Sequence, residues 1–285
     1  MEEFYIMRNV KLLSAAVLAT TALGTALPVV ANAADVANYN TTAGVTFTPN
    51  TDKVDPVSPD PDENGKPGTI DPNNPVVPVD PDDPNDKNPV DPDKGTQGPL
   101  SIDYVSDFNF GKQKISSKDM TYFAKAQKFV DDTKPHVLYA QVTDNRGTGQ
   151  GWQLNVKQDA EFKTADGTNT LTGAQIAIKG MNTATQDGSA AGQVLAGAAD
   201  TQLKVGANVL AMNAPVDAGQ GTWVDRFGAD TDLKNEADTN EDGGARDVDQ
   251  AVTLSVPGKS NKIADQKYST SLTWTLSDTP ANPVA

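Results

Sequence analysis

The sequence predicts an all-β protein: one antiparallel, β-sandwich-like domain at residues 100–285, preceded by a disordered Asp/Pro-rich tether. Three observations carry this. Apolar residues beyond Leu100 alternate with period 2 in short runs, as along strands with one buried face. Clusters of Gly, Asn and Asp separate those runs at turn spacing. Finally, 13 of the 19 prolines lie in residues 49–99, beside 12 Asp/Glu and 4 Lys, an abrupt change of composition that sets a tether apart from the domain. The 285 residues are 37% hydrophobic and 6% aromatic, with no Cys and a net charge of −15. That composition suits one medium domain plus material that cannot build a core.

In chain order, residues 1–33 read as a signal peptide. Arg8 and Lys11 form a basic start, Leu12 to Leu27 an apolar stretch, and Ala31-Asn32-Ala33 a small-x-small cleavage pattern, with cleavage after Ala33. The acidic Glu2-Glu3 fits this poorly, and translation is expected to begin at Met7. Once the leader is removed no stretch suffices to span a membrane. Residues 34–48 form a short segment ending in Gly44-Val45-Thr46-Phe47-Thr48, a strand without a sheet, which either frays or docks on an exposed edge. Residues 49–99 then form the tether. Pairs such as Asp55-Pro56 and Asp91-Pro92 favour extended backbone, and like charges repel, so this segment cannot fold alone. As a polyproline-like spacer it reaches on the order of 150 Å.

Within the domain the strands are expected at Leu138–Val142, Trp152–Val156, Ile176–Ile178, Val252–Val256 and Tyr268–Leu276. The one helical pattern is Ser117–Phe129, where Met120, Phe123, Ala124 and Phe129 share a face, although no Glu or Gln completes a capping box.

Two of these strands carry a family resemblance. Gly151-Trp152-Gln153-Leu154 resembles the proximal motif of the WxL family of Gram-positive surface proteins. Tyr268, Leu272, Thr273, Trp274, Leu276 and Pro280 fit its distal Tyr-xxx-Leu-Thr-Trp-x-Leu-xxx-Pro motif at every defined position. The leader, the tether, Asp144-Asn145-Arg146-Gly147 and Leu254-Ser255-Val256-Pro257-Gly258 are also similar to small WxL proteins. The resemblance implies a secreted protein held non-covalently on cell-wall peptidoglycan. It also implies partners, namely other WxL proteins and a membrane-anchored companion, and a role in adhesion, including to host extracellular matrix, or in polysaccharide use. Period 2 puts Trp152 with Leu154, and Leu272 with Trp274 and Leu276, on single strand faces. The indoles then either stack on glycan rings at the surface or anchor the core from opposed positions. The flanking leucines favour the core, since a Leu beside a sugar platform exposes apolar surface without gain.

Charge narrows the partners. The domain has a net charge of −6, and Asp225–Asp249 alone has the same −6. Within that loop Asp238, Asn240 and Asp242 occupy positions 1, 3 and 5 of a calcium-loop pattern, followed by Gly243, Gly244 at position 7 and Asp249 at position 12. Asp rather than Glu at position 12 and Ala245 at position 8 depart from that pattern, so the readings are a weak Ca2+ site or a solvated acidic turn. No other cofactor is suggested. An acidic chain is repelled by nucleic acid and by anionic teichoic acids, so wall affinity must be local. For catalysis there is no Cys, and His136 is the one His; a paired-carboxylate polysaccharide hydrolase is the remaining enzymatic alternative. The acids expected in tether and loop are solvated, which leaves no tuned pair. The other alternative is a protein-binding module held at the surface by its membrane-anchored partner, with residues 34–48 as a donated strand.

Overall fold

The computed structural model describes residues 37–61, 68–81, 95–132, 134–186, 193–236 and 245–281. In chain order the strands are β1 (Leu100–Val105), β2 (Met120–Lys125), β3 (Tyr139–Asp144), β4 (Trp152–Gln158), β5 (Lys163–Thr164), β6 (Gln175–Lys179), β7 (Asn182–Thr185), β8 (Leu195–Ala196), β9 (Asp200–Gln202), β10 (Val209–Ala214), β11 (Gly221–Arg226), β12 (Leu233–Glu236), β13 (Arg246–Val256), β14 (Tyr268–Ser269) and β15 (Leu272–Ser277). The described residues hold no α-helix, only a 3-10 turn at Asp230–Asp232, and no helix long and apolar enough to cross a membrane. Every strand pairing is antiparallel. The fold is all-β, as the period-2 runs predict.

Three larger sheets share the core. They run β1-β3-β11-β7, β15-β4-β10-β8, and β12-β13-β6-β9 with β2 also paired to β13; β14 and β5 make a small ribbon. Leu154 and Val156 of β4, Met212 of β10, Val142 of β3, Ile176 of β6 and Val252 of β13 meet in one apolar cluster. Each such side chain contributes ~1.5–3 kcal/mol by leaving water, and with no disulfide this packing must hold the domain.

The expected helix at Ser117–Phe129 is a strand. Met120–Lys125 pairs with β13 from Val256 back to Val248, with a register shift between Asp249 and Thr253. The apolar spacing suits either structure, but β13 runs for 11 residues and offers a ladder along most of its length. That satisfies six residues of backbone at once, which an uncapped helix with Thr121, Tyr122 and Phe123 cannot match.

The second difference lies in the Asp/Pro-rich segment. Its described parts, 49–61, 68–81 and 95–99, form no sheet of their own but lie along the β1-β3-β11-β7 sheet. Val57, Ile70 and Val76 join Tyr104, Phe129, Tyr139, Ala184 and Val224 in a second apolar cluster. Consequently all six residues of β3 are buried, where alternation alone predicts one wet face. Gln141 of β3 clamps the segment: its Oε1 accepts from Val57 N at 2.8 Å and its Nε2 donates to Asp55 O at 3.0 Å. Farther along, Ile70 N donates to Thr185 O and Val79 N to Lys128 O, at 3.1 and 2.9 Å. The segment supplies a few apolar side chains and open backbone; the domain supplies the ladder.

Residues 37–46 form a separate unit. They make no strand, and Tyr39 and Val45 are exposed. Residues 1–33, where the sequence leads one to expect a signal peptide, lie outside the described residues.

Candidate functional site

The two Trp-x-Leu strands are neighbours in one sheet rather than opposed anchors. β15 pairs with β4 so that Leu276 faces Leu154, Trp274 faces Val156 and Leu272 faces Gln158. Trp152 and Leu154 are 0% exposed, whereas Leu272, Trp274 and Leu276 sit half-buried against the same core, with Trp274 stacked on Phe227 at 6.1 Å and 13°. The other motif residues hold the strand ends. Tyr268 Oη accepts from Ile263 N at 3.1 Å, Thr273 Oγ1 donates to Asp159 Oδ2 at 2.7 Å, and just past Pro280 the Ala281 N donates to Asn213 Oδ1 at 2.8 Å.

What Trp152 holds gives the motif its chemistry. A buried indole N–H needs an acceptor, and here it is the Gly219 carbonyl at 2.9 Å, in the loop between β10 and β11. Trp223 of β11 does the same to the next residue, its Nε1 donating to Gln220 O at 3.0 Å. Gly219 has φ +79, and an added Cβ would lie 2.6 Å from the Trp152 nitrogen and 2.4 Å from Ala214 Cβ, so glycine is required. Asp217 N donates to Gly149 O at 2.7 Å, which ties this loop to the 145–151 loop that precedes Trp152. Gly151, at φ +74, allows the close approach, since a Cβ there would meet Ala214 O at 2.4 Å.

The result is a preorganised polar end to the sandwich. One cleft of about 320 Å3 is lined by Phe47, Asp144, Asn145, Arg146 and Gln220 among others. A second of about 410 Å3 is lined by residues including Gln186, Gln193, Asp217, Gln220 and Thr222. Gln220 and Gly221 are common to both, so the loop pinned by the two indoles is the wall between the clefts. Arg146 is held by buried Asp144 through a two-point contact, Nε to Oδ1 at 2.9 Å and Nη2 to Oδ2 at 2.7 Å, and by Gly151 O at 2.8 Å. The Asp144 bond raises its pKa further and keeps it cationic. Phe47 presents an exposed ring. Amide, hydroxyl and guanidinium groups around a shallow cleft with an exposed ring can bond the hydroxyl and amide edges of a glycan and stack on its ring face.

The acidic loop gives a different picture. Asp238, Asn240, Asp242 and Gly244 lie outside the described residues. Asp249 does not fit the twelfth position of a calcium loop: it is fully buried within β13, and its two oxygens accept from Leu138 N and Ala251 N, each at 2.9 Å. No group of three or more acidic or His side chains among the described residues could hold a metal ion.

Nor are all the domain acids solvated. Burial pushes Asp249 up to about 7 and Asp103 up to about 6, despite hydrogen bonds from Ser101, Thr143 and Gln141 to the latter. Asp225, wholly buried with no partner on either oxygen, is raised well above its ordinary value by desolvation. They are structural positions on β13, β1 and β11. His136 is also buried, its Nδ1 2.9 Å from Asp60 Oδ2 in the Asp/Pro-rich segment and its ring 4.7 Å from that of Phe129. It serves as a peg for that segment.

Sequence reasoning missed the loop end because β10 and β11 were not among the expected strands. Trp223, the third Trp, was the available signal. No curated protein and no solved structure matches the chain. The family model for the WxL domain, a surface domain that binds the cell wall, matches residues 34–280. With its two motifs paired as adjacent strands, this chain belongs to the WxL family of cell-wall-binding surface domains.

Proposed function

We propose that the protein is exported, remains on the peptidoglycan wall of a Gram-positive cell without a covalent bond, and contacts the wall through the two clefts at the Gln220 end of the sandwich. The single observation that carries this is the hydrogen bond from the buried Trp152 indole to Gly219 O. The motif works from within the core, fixing the loop that divides the clefts, so the ligand meets the loops and not the tryptophan. Binding without catalysis is the chemistry these groups suit. Arg146 offers the local attraction that a chain of net charge −15 lacks at long range. Membership in a surface complex with other WxL proteins and a membrane-anchored companion, with an adhesive or polysaccharide-directed role, belongs to the same proposal.

Co-sedimentation with isolated walls, stripped of surface proteins or left intact, tests it. Stripped walls are expected to retain the protein and to release no soluble fragments. Asn145→Ala combined with Gln220→Ala should cut retention about tenfold, the equivalent of about 1.4 kcal/mol, at an unchanged melting temperature. Retention by intact walls alone would place the receptor in a companion protein, and undiminished retention of the double variant would move the wall contact away from these clefts.

A further inference from the structure

The feature that wall binding leaves unused is the free edge of β15. Among the described residues it is the outer strand of its sheet and pairs on one side only, with β4. The edges of the neighbouring sheet are covered. Residues 68–70 run along β7, with Ile70 N donating to Thr185 O at 3.1 Å and Thr185 N to Gly68 O at 3.0 Å. Thr96 runs along β1, its N donating to Ile102 O at 2.8 Å and its Oγ1 accepting from Ile102 N at 2.9 Å. Among the described residues the backbone of β15 makes no hydrogen bond beyond β4.

Exposed edges are ordinarily blunted by Lys, Pro, a bulge or shortness, because a row of unpaired N–H and C=O groups is a template for another strand. β15 has none of these devices. Its six residues are regular, and from Thr270 to Ser277 there is no charge, no Pro and no Gly, in a chain of net charge −15. Its β-branched and aromatic content favours pairing.

The sequence of the strand selects the partner. Leu272-Thr273-Trp274-Thr275-Leu276 reads the same in both directions. We propose that β15 is a homodimerisation edge, at which a second copy of this chain pairs its own β15 antiparallel about a two-fold axis through Trp274. In that register Leu272 opposes Leu276 of the second copy, Thr273 opposes Thr275, and Trp274 opposes itself. All five positions match like with like, as a two-fold interface requires. A slip of one residue sets Thr against Leu and Trp, turning apolar side chains to the opposite face, so the palindrome fixes register as well as partner. The contact covers the exposed flank of Trp274 and joins two four-stranded sheets into one of eight. Because the strand is uncharged while each copy is strongly acidic, association strengthens as salt screens the long-range repulsion.

Sedimentation equilibrium of the full-length protein across concentration, at low and high salt, tests this. A monomer–dimer equilibrium shifted toward dimer by salt is expected. Thr275 is exposed and, among the described residues, its side chain makes no hydrogen bond, so Thr275→Lys should fold with an unchanged melting temperature yet weaken the dimer about tenfold or more. Lys lowers the net negative charge, so charge alone would have tightened the dimer. The absence of native Cys allows a register test. Thr273→Cys mixed with Thr275→Cys should form a disulfide-linked pair in air several times more than either variant alone, because opposed strand residues are within disulfide reach. The proposal is overturned by a monomer at every concentration and salt, or by cross-linking that is equal in the mixture and in each variant alone. It is equally overturned if wild-type protein is monomeric and Thr275→Lys loses a different surface protein, which would give the edge to a foreign strand. Loss of wall retention in the Asn145→Ala, Gln220→Ala variant leaves this dimer untouched, so the two proposals fail separately.

Discussion

Two indole N–H groups and two glycines set the shape of the loop end. Trp152 reaches Gly219 across 67 residues of sequence, a partnership that no local pattern could reveal although the period-2 placement of the Trp was plain. Gly219→Ala adds strain at φ +79 and a collision with the Trp152 nitrogen, and should cost about 2–3 kcal/mol in chemical denaturation. The more telling outcome is that wall retention should fall under conditions where the variant is still fully folded. Asp225 offers an equally local test. Burial without a partner disfavours the ionised form of its carboxyl, and Asp225→Asn removes that ionisation while keeping the side chain's size. The melting temperature of Asp225→Asn is expected to match that of the wild type near pH 4 and to exceed it at about pH 8; a variant less stable than wild type at the higher pH would contradict the burial argument. Nothing in the sequence distinguishes Asp225, Asp103 and Asp249 from surface acids on a half-wet strand, because the side that covers them comes from distant segments.

At the level of elements, the strands with clean alternation were legible: Tyr139–Asp144, Trp152–Gln158, Gln175–Lys179, Arg246–Val256 and Leu272–Ser277 each contain most of one of the expected runs. Met120–Lys125 was misread because apolar spacing in so short a stretch fits two periods, and the long β13 decided between them. The Asp/Pro-rich segment is a related case. Its composition rules out self-sufficient structure, but Val57, Ile70 and Val76 need only a sheet to lie on, and β3 supplies Gln141 as its clamp. Gln141→Ala with Ile70→Ala should open residues 50–81 to proteolysis while the sheets stay intact, with Ile70→Ala alone costing ~2 kcal/mol or more. Limited digestion followed by mass spectrometry of the first cuts reads this out; equal resistance of variant and wild type would show that the docking does not depend on these contacts.

For the molecule as a whole, the buried carboxylates give stability a definite pH dependence. Asp103 and Asp249 have folded pKa values of about 6 and about 7 against 3.8 for the free group, so the folded state holds protons that the unfolded chain gives up. The stability that these two groups contribute is therefore fully present below about pH 4, declines as pH rises toward 6 and 7, and levels off above the folded values. Each tenfold difference in proton affinity between the folded and unfolded chain is worth about 1.4 kcal/mol, so thermal melts should fall by on the order of 5 °C or more between about pH 5 and pH 8. A midpoint that climbs over that range would overturn the assignment. The docked segment also has a mechanical consequence. Between residues 47 and 79 the chain is held to the domain by separate bonds at Asn50, Val57, Ile70 and Val79, spaced along its length. Peeling them lets out on the order of 100 Å of chain before any sheet strand is disturbed. That length is slack, which the chain keeps folded against its own sheet.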